Sequence, residues 1–330
     1  PADSAGIKAG DQIVSVGARR VLSPRDAASA IAVLPETTGE VSLTLKRSGE
    51  TKTVSLSFAQ ETVQIASQSE TVKDPDCPHP EDVCQTRQIV FPVSSFDPVG
   101  SATRIADDLL VTNRHVVGNS KTATVHTPSG PKTATVLSSA YQGDLALLQV
   151  DGLPDGSLIP ALSASPVVPP EGNGAYYAIG ADIARKQVRV FDPGELLSPP
   201  ARDGVFGRLH VTAQMQPGVS GGGLVDTTGR LVGIAVGGGD GRFEAIPLGD
   251  VTKLLDLRSD PQADQVTEEL GSGFEACAAL LDATGGGQPG TTETTDLTSI
   301  CSKAANHGQL LKAGRILAQA GQFDDAIRMH

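Results

Sequence analysis

Residues 217–224 read Pro217-Gly-Val-Ser220-Gly-Gly-Gly-Leu224, a serine enclosed by glycines. A serine hydroxyl is a weak nucleophile at neutral pH and needs a neighbouring base to take its proton when it attacks a carbonyl carbon. Glycines on both sides let the backbone adopt the tight conformation in which amide N–H groups meet the resulting oxyanion. The segment therefore predicts a nucleophile at Ser220, with the oxyanion hole formed by its own loop.

Two upstream segments supply the other groups that this chemistry needs. Residues 110–117 read Leu110-Val-Thr-Asn-Arg-His115-Val-Val117, and residues 143–148 read Gly143-Asp144-Leu-Ala-Leu-Leu148. Histidine titrates near neutrality and so suits a general acid/base, while a carboxylate fixes its tautomer and stabilises the imidazolium. We therefore assign His115 as the general acid/base and Asp144 as its orienting partner.

The order His, Asp, Ser along the chain is that of the chymotrypsin class of serine proteases. The three segments together resemble those of HtrA (DegP-like) proteases, which read VTNxHVV, DIALI and GNSGGP, and the gaps of 29 and 76 residues fit that family. Gly100-Ser101 upstream and Phe243-Glu-Ala-Ile-Pro-Leu248 downstream extend the resemblance to about 160 residues. It implies a mainly β fold, a chymotrypsin-like double β-barrel of two six-stranded barrels over residues 88–258.

The same resemblance implies the remaining site residues. The amides of Gly218 and Ser220 are expected to form the oxyanion hole. The substrate pocket is expected at Gln214, Met215, Gln216, Ala235, Val236 and Gly237. Gln214 stands where trypsin-like enzymes of basic specificity carry Asp, so a small or medium aliphatic residue is the expected preference at the cleavage site.

Three positions near Ser220 depart from the family pattern. Val219 replaces the usual Asn, Gly223 the usual Pro and Thr212 the usual Asp. None of them removes a triad atom, but all lie where the loop must present its amides. Two classes of function therefore stay open. One is a serine endopeptidase acting on unfolded or damaged envelope proteins in protein quality control, and the other is a latent or inactive protease fold acting as a chaperone or interaction scaffold.

Residues 1–60 are predicted to form a small α/β unit. Strands are expected at Gln12–Val16, Val41–Leu45 and Thr53–Phe58, with a helix capped by Ser23. The opening Pro1-Ala-Asp-Ser-Ala-Gly-Ile-Lys-Ala-Gly-Asp-Gln-Ile13 resembles the second half of a bacterial PDZ domain. The carboxylate-binding loop of such domains precedes the matched part, so we expect a partial PDZ module without the usual peptide groove.

Four cysteines fall into two local pairs, Cys77 with Cys84 and Cys277 with Cys301. An even number of locally paired cysteines is typical of disulfides formed in an oxidising compartment. The alternative is a zinc site at Cys77, His79 and Cys84, which lacks a fourth ligand at ordinary spacing. We therefore expect disulfides, a disulfide-stapled linker over residues 61–87, no metal, and a periplasmic or secreted location.

Residues 259–330 form an acidic segment that differs in composition from the β-rich region before it. Helices are predicted over Phe274–Leu281 and Leu297–Ala320, separated by the stretch Gly285–Thr295 and joined by Cys277 and Cys301. A set of small and apolar residues then falls at the spacing of one tetratricopeptide helix pair: Gly314, Leu317, Gly321, Phe323 and Ala326. One such repeat cannot bury its own apolar face, so we expect a protein partner at this segment.

Composition excludes several other classes of partner. The formal net charge is −12, opposite in sign to the basic surface that phosphate binding needs, and aromatic residues make up only 3% with no Trp. Nucleic acid is therefore not expected as a partner. No apolar run approaches the ~20 residues of a transmembrane helix, and the chemistry of the triad needs no cofactor. The chain starts at Pro1 without a signal-peptide pattern, so we expect a piece of a longer protein. The HtrA resemblance implies polypeptide substrates and a trimeric homo-oligomer.

Overall fold

The computed structural model describes residues 6–8, 11–17, 19–21, 40–47, 49–57, 77–154, 174–182, 187–198, 207–239, 242–284 and 291–329. By its internal contacts the chain divides into two compact units, Pro1–Glu70 and Thr71–His330. This division falls inside the predicted linker. The boundaries predicted within the second unit stay predictions, because its parts pack into one body.

The first unit is built on an antiparallel sheet. Its strands are β1 (Gln12–Val16), β2 (Arg19–Arg20), β3 (Glu40–Arg47) and β4 (Glu50–Ser57), in the order β2-β1-β3-β4. Side chains alternate between the two faces of a strand, and one face carries the small core of Val16, Leu43, Leu45 and Val54. The three predicted strands are confirmed, while the helix predicted from Ser23 lies outside the described residues.

The second unit opens with a closed six-stranded barrel. Its elements are α1 (Glu81–Gln85), β5 (Val90–Ser94), β6 (Gly100–Ala106), β7 (Leu109–Thr112), α2 (Arg114–Val117), β8 (Thr122–Thr127), β9 (Gly130–Leu137) and β10 (Ala146–Gln149). The strands close in the antiparallel order β10-β7-β6-β5-β8-β9. Leu110, Val125 and Leu148 fill the interior and are fully buried. The short helix α2 follows β7 directly, so His115 stands at the rim of this barrel.

A second sheet of seven strands follows. Its strands are β11 (Tyr177–Asp182), β12 (Gln187–Val190), β13 (Leu196–Ser198), β14 (Leu209–Val211), β15 (Gly223–Val225), β16 (Leu231–Gly239) and β17 (Arg242–Pro247). They run in the order β12-β11-β15-β16-β17-β14-β13. The two end strands, β12 and β13, belong to one stretch of chain that is interrupted around Pro193, where Gly194 still bridges to Tyr176. A proline has no N–H to donate to a sheet, which splits one bent strand into two. This sheet stands in the place of the predicted second barrel, with seven strands where six were predicted.

Five helices complete the second unit. They are α3 (Leu248–Asp256), α4 (Ala263–Thr284), α5 (Thr291–Cys301), α6 (His307–Gln319) and α7 (Phe323–Arg328). Two predictions were wrong here. The helix expected over Leu297–Ala320 is broken at Ala305, which has a positive φ of 46°, and Asn306 caps a new helix by accepting a hydrogen bond from the Gln309 amide at 3.0 Å. The stretch Gly285–Thr295, expected to separate the helices, already turns helical at Thr291.

The structure joins both predicted cysteine pairs. Cys77 is bonded to Cys84 ahead of the first barrel, and Cys277 on α4 is bonded to Cys301 at the end of α5. The second bond lies inside an apolar core that α4 to α7 share. None of the helices in the described part of the chain combines the length and apolarity that a bilayer crossing demands.

Candidate active site

His115 and Asp144 lie side by side at the rim of the first barrel. Nδ1 of His115 is 2.8 Å from Oδ2 of Asp144, and the backbone amide of His115 donates to Oδ1 at 2.9 Å. The two residues are far apart in sequence but close in space because β7, which leads into His115, pairs with β10, which follows Asp144. The predicted base and its predicted partner are thus brought into direct contact.

Asp144 is held as a carboxylate. It is only 3% exposed. Burial raises the pKa of its side chain, but the charge of His115 and the two hydrogen bonds from that residue outweigh burial, so the pKa lies below its ordinary value. The side-chain amide of Asn113 also donates to the backbone carbonyl of Asp144 at 2.9 Å, which fixes the position of the residue. An ionised, immobile carboxylate is what an orienting partner for histidine requires.

The loop before Ser220 forms a tight turn that leaves two amides available. The Val219 amide donates to the carbonyl of Gln216 at 3.1 Å, and Gly218 has a φ of 101°. Proline at the second position and a positive φ at the third are typical of a type II turn. Among the residues that the structure describes, no carbonyl accepts a hydrogen bond from the amide of Gly218 or of Ser220. Both amides are therefore free to donate to an oxyanion.

The Ser220 hydroxyl points to the neighbouring strand. Its Oγ donates to the backbone carbonyl of Val236 at 2.8 Å. A hydroxyl has one proton to donate, so in this arrangement the proton is not shared with His115. Hydrogen bonds of catalytic groups are often formed only when substrate is bound.

Ser101, on β6 of the first barrel, forms two hydrogen bonds with the loop that carries Ser220. Its amide donates to the carbonyl of Ser220 at 2.7 Å, and its hydroxyl donates to the carbonyl of Gly218 at 2.7 Å. The same hydroxyl accepts a hydrogen bond from the Ala181 amide at 2.8 Å on the second barrel. One fully buried side chain thus connects both barrels to the turn that carries the two free amides.

The glycines after Ser220 are needed for close packing. A Cβ on Gly221, whose φ is 87°, would lie 2.0 Å from the carbonyl oxygen of Ser101, and a Cβ on Gly222 would lie 2.0 Å from that of Ile179. Neither backbone atom has room to move. The glycines after Ser220 therefore allow this loop to pack closely against the backbone of both barrels.

We expect Ser101→Ala to weaken the oxyanion turn. The change leaves the buried Gly218 carbonyl without its donor and the Ala181 amide without its acceptor, at a cost of about 1–3 kcal/mol in the free energy of unfolding. Urea unfolding measures this cost, and the rate of reaction with a fluorophosphonate measures the loss of amide alignment. Ser129→Ala, in an exposed hairpin turn, is the matched control. Unchanged stability and an unchanged labelling rate would contradict this role for Ser101.

The six residues predicted for the substrate pocket occupy different environments. Gln214 and Gln216 are exposed, whereas Met215 and Ala235 are buried in the core of the second barrel. The carbonyl of Ala235 accepts a hydrogen bond from the Gly221 amide, and its amide donates one to the carbonyl of Gly222. The carbonyl of Val236 accepts the hydrogen bond from the Ser220 hydroxyl. At Gly237, with a φ of 128°, a Cβ would meet nothing within 4 Å. Their assignment to substrate binding stays a prediction.

Two residues beside His115 were not found from the sequence. Phe274 and Glu275, on α4, contact the loop that carries the histidine. They lie about 160 residues downstream, and the sequence around them carries no motif that points to the histidine. Gly100-Ser101, by contrast, was visible as part of the family resemblance.

Comparison with known proteins agrees with this geometry. The trypsin-like peptidase domain family matches residues 100–234. Serine protease MT3772 of Mycobacterium tuberculosis (strain CDC 1551 / Oshkosh) is 33% identical over 145 residues, which are 42% of this chain and 36% of the relative. Serine protease Rv3671c of strain ATCC 25618 / H37Rv gives the same values. The chain thus spans little more than a third of the length of these curated relatives.

Solved structures also align with part of the chain. The inactive form of the Rv3671c protease is 23% identical, with a TM-score of 0.46, and the alignment covers 56% of this chain and 98% of that one. The serine endoprotease from Yersinia pestis is 25% identical, with a TM-score of 0.46 and coverage of 54% and 66%. Residues 100–234 of this chain thus match the trypsin-like peptidase domain family, and the sequence relatives that align with part of the chain are serine proteases.

Proposed function

We propose that this protein is a serine endopeptidase that hydrolyses peptide bonds through an acyl-enzyme on Ser220. The observation that carries the proposal is the pair of His115 and the buried Asp144, joined by two hydrogen bonds from the histidine to the carboxylate. A histidine held by a carboxylate and a serine whose loop has two free amides are the groups that acyl transfer needs. The match of residues 100–234 to the trypsin-like peptidase domain family supports the same reaction.

In the first half of the proposed reaction, Oγ of Ser220 attacks the peptide carbonyl carbon while Nε2 of His115 takes the hydroxyl proton. Negative charge develops on the carbonyl oxygen and is met by the N–H groups of Gly218 and Ser220. Asp144, bonded to Nδ1, stabilises the imidazolium that has formed. The C–N bond then breaks, the leaving amine takes the proton from His115, and the acyl group remains on Ser220 as an ester.

In the second half, water attacks the ester carbonyl carbon and gives a proton to His115. The same two amides stabilise the second oxyanion. The ester C–O bond breaks, and Ser220 regains its proton from His115 as the carboxylic acid product leaves. The protein is thereby restored, and no redox step or cofactor enters the balance.

The proposal extends to the substrate and its setting. We propose that the substrates are unfolded or damaged polypeptides of the cell envelope, cleaved as part of protein quality control after small or medium aliphatic residues. Two disulfides support a periplasmic or secreted location. An HtrA-like trimer, a partial PDZ module in the first unit and a partner at the C-terminal helices belong to the same proposal.

A fluorophosphonate probe and an unfolded protein test this function together. The probe reacts rapidly only with a serine that has an activated hydroxyl and a formed oxyanion hole. The expected result is labelling located at Ser220 by mass spectrometry, and cleavage of casein that stops after labelling. Absence of both labelling and casein cleavage in the folded protein would overturn the proposal.

A scaffold is the second candidate, favoured by the bond from the Ser220 hydroxyl to Val236. A protease fold that keeps its hydroxyl directed there binds polypeptides without cleaving them. Suppression of casein aggregation without cleavage or labelling is the result that this alternative predicts.

A further inference from the structure

Helix α4 lies against the catalytic histidine. Phe274, on α4, is only 5% exposed, and its ring centroid is 6.3 Å from that of His115, with the ring planes tilted by 39°. On its other side it makes an edge-to-face contact with Phe96, at 5.8 Å and 80°. Phe96 lies in the loop between β5 and β6, so Phe274 fills the space between that loop and the imidazole.

The next residue of α4 is bonded to the chain segment that follows His115. Oε1 of Glu275 accepts a hydrogen bond from the backbone amide of Asn119 at 2.8 Å. Asn119 lies two residues beyond the end of α2, the helix of a single turn that carries His115. A helix this short has little stability of its own. The hydrogen bond to Glu275 therefore fixes the position of the chain where it leaves α2.

Two glycines show that this contact is closely packed. A Cβ on Gly118, whose φ is 56°, would lie 2.5 Å from Oε1 of Glu275 and 2.8 Å from Cγ of Phe96. Across the interface, a Cβ on Gly271 of α4 would lie 2.8 Å from both Cα of Asn119 and the carbonyl oxygen of Gly118. Gly271 thus allows the backbone of the opposing segment to approach, and Gly118 leaves room for the side chains of Glu275 and Phe96. The geometry is that of a permanent interface.

Phe274 is in turn fixed by the rest of the helical segment. It belongs to the core that contains the Cys277–Cys301 pair, and its carbonyl accepts a hydrogen bond from the side chain of Gln309 on α6 at 2.9 Å. Nearer the start of α4, Thr267 connects the helix to the first barrel. Its hydroxyl accepts a hydrogen bond from the amide of Ser139 at 3.0 Å and donates one to the carbonyl of the same residue at 3.1 Å. The second barrel is contacted by His307 of α6, with Nδ1 3.4 Å from Glu244.

We propose that Phe274 is a positioning residue for His115, and that helix α4 is thereby part of the catalytic machinery although it lies outside residues 100–234. Asp144 holds one edge of the imidazole, and Phe274 packs against its ring and restricts its rotation. The proposal rests on the proposed function, since it gives a role in catalysis to a residue that touches neither substrate nor the reacting atoms.

The test compares Phe274→Ala, Phe274→Leu and Phe323→Ala with the unaltered chain. Phe323 lies in the same helical segment but is 64% exposed, so it is the matched control. A catalytic group displaced by about 1 Å loses about 100-fold in rate. Phe274→Ala is therefore expected to lower kcat for peptide cleavage by about 10- to 100-fold with KM nearly unchanged, Phe274→Leu to restore most of the loss, and Phe323→Ala to change nothing.

A second readout does not depend on activity. A proton in a strong hydrogen bond between Nδ1 of histidine and a carboxylate gives a low-field proton NMR resonance, which here reports on His115 and Asp144. It is expected to be present in the unaltered chain and in Phe323→Ala, and to broaden or disappear in Phe274→Ala that is still folded by circular dichroism. If the unaltered chain cleaves nothing, the proposed function fails, while the resonance still tests the role of Phe274.

Three results would overturn the inference. One is a folded Phe274→Ala variant with an unchanged resonance and unchanged kcat. Another is a rise in kcat, which would mean that α4 obstructs the site. The third is a loss of activity that equals the loss of folded protein and is not relieved by leucine.

Discussion

Ser220→Ala is expected to lower kcat for peptide cleavage by about four to six orders of magnitude, the range known for removal of a nucleophile from a triad. Without Oγ no acyl-enzyme forms, and what remains is the stabilisation of a water-derived oxyanion by the amides of Gly218 and Ser220. The measurement is the initial rate of casein or peptide hydrolysis at saturating substrate. The lost hydroxyl also leaves the carbonyl of Val236 without its donor, but Val236 is only half-buried, so stability should change little.

Ser129→Ala provides the matched control for this substitution, since it removes a hydroxyl from an exposed turn. It should cleave at the full rate. A Ser220→Ala protein that keeps a tenth or more of the activity would show that another group, or another protein in the preparation, carries the reaction. The acyl-enzyme mechanism would then have to be abandoned.

Asp144→Asn is expected to lower kcat by about four orders of magnitude. The carboxylate accepts hydrogen bonds from both Nδ1 and the backbone amide of His115. An amide side chain has only one acceptor oxygen, so it satisfies one of these donors and directs an NH₂ group at the other. The histidine is then driven into the tautomer in which Nε2 carries the proton and cannot accept one from Ser220. Casein hydrolysis and fluorophosphonate labelling should fall together.

The same substitution has a pH-dependent effect on stability. The pKa of Asp144 is lower in the folded protein than its ordinary value of about 3.9. A carboxyl with a depressed pKa adds stability that is fully present above the ordinary pKa and is lost as the pH falls through the lower, folded-state pKa. The gap in unfolding free energy between the unaltered chain and Asp144→Asn should therefore shrink as the pH falls below about 4. Urea unfolding at several pH values measures it, and a gap that widens in acid would contradict the ionised state.

The chemistry of the site was predictable because it is local in the sequence. A serine among glycines, a histidine after a strand and an aspartate before one are each recognisable within eight residues, and their order along the chain selects the fold class. The pairing of two strands then brings two of these segments together. β7 and β10 are neighbours, and His115 meets Asp144 as a result.

The surroundings of the site were less predictable because they depend on contacts between distant segments. In the sequence, a phenylalanine that contacts another segment looks the same as one that packs among the neighbouring helices. The sequence therefore contained no sign that Phe274 lies beside His115. The hydroxyl of Ser101 is similar: its family motif was visible, but its two partners lie 117 and 80 residues away. The break before α6 did have a signal, since Asn306 followed three residues later by Gln309 is typical of a helix start.

The paired glycines Gly118 and Gly271 also limit how this protein can be divided or recombined. Gly271 leaves room for the backbone of Gly118 and Asn119, and Gly118 leaves room for the side chain of Glu275, so a side chain at either position disturbs the contact between α4 and the segment after His115. A gene fusion that joins these barrels to a foreign C-terminal helix loses the contacts that Phe274 and Glu275 make beside His115. The piece of sequence that evolution, or an engineer, can transfer intact is therefore longer than the recognised peptidase domain and includes the helices that follow it.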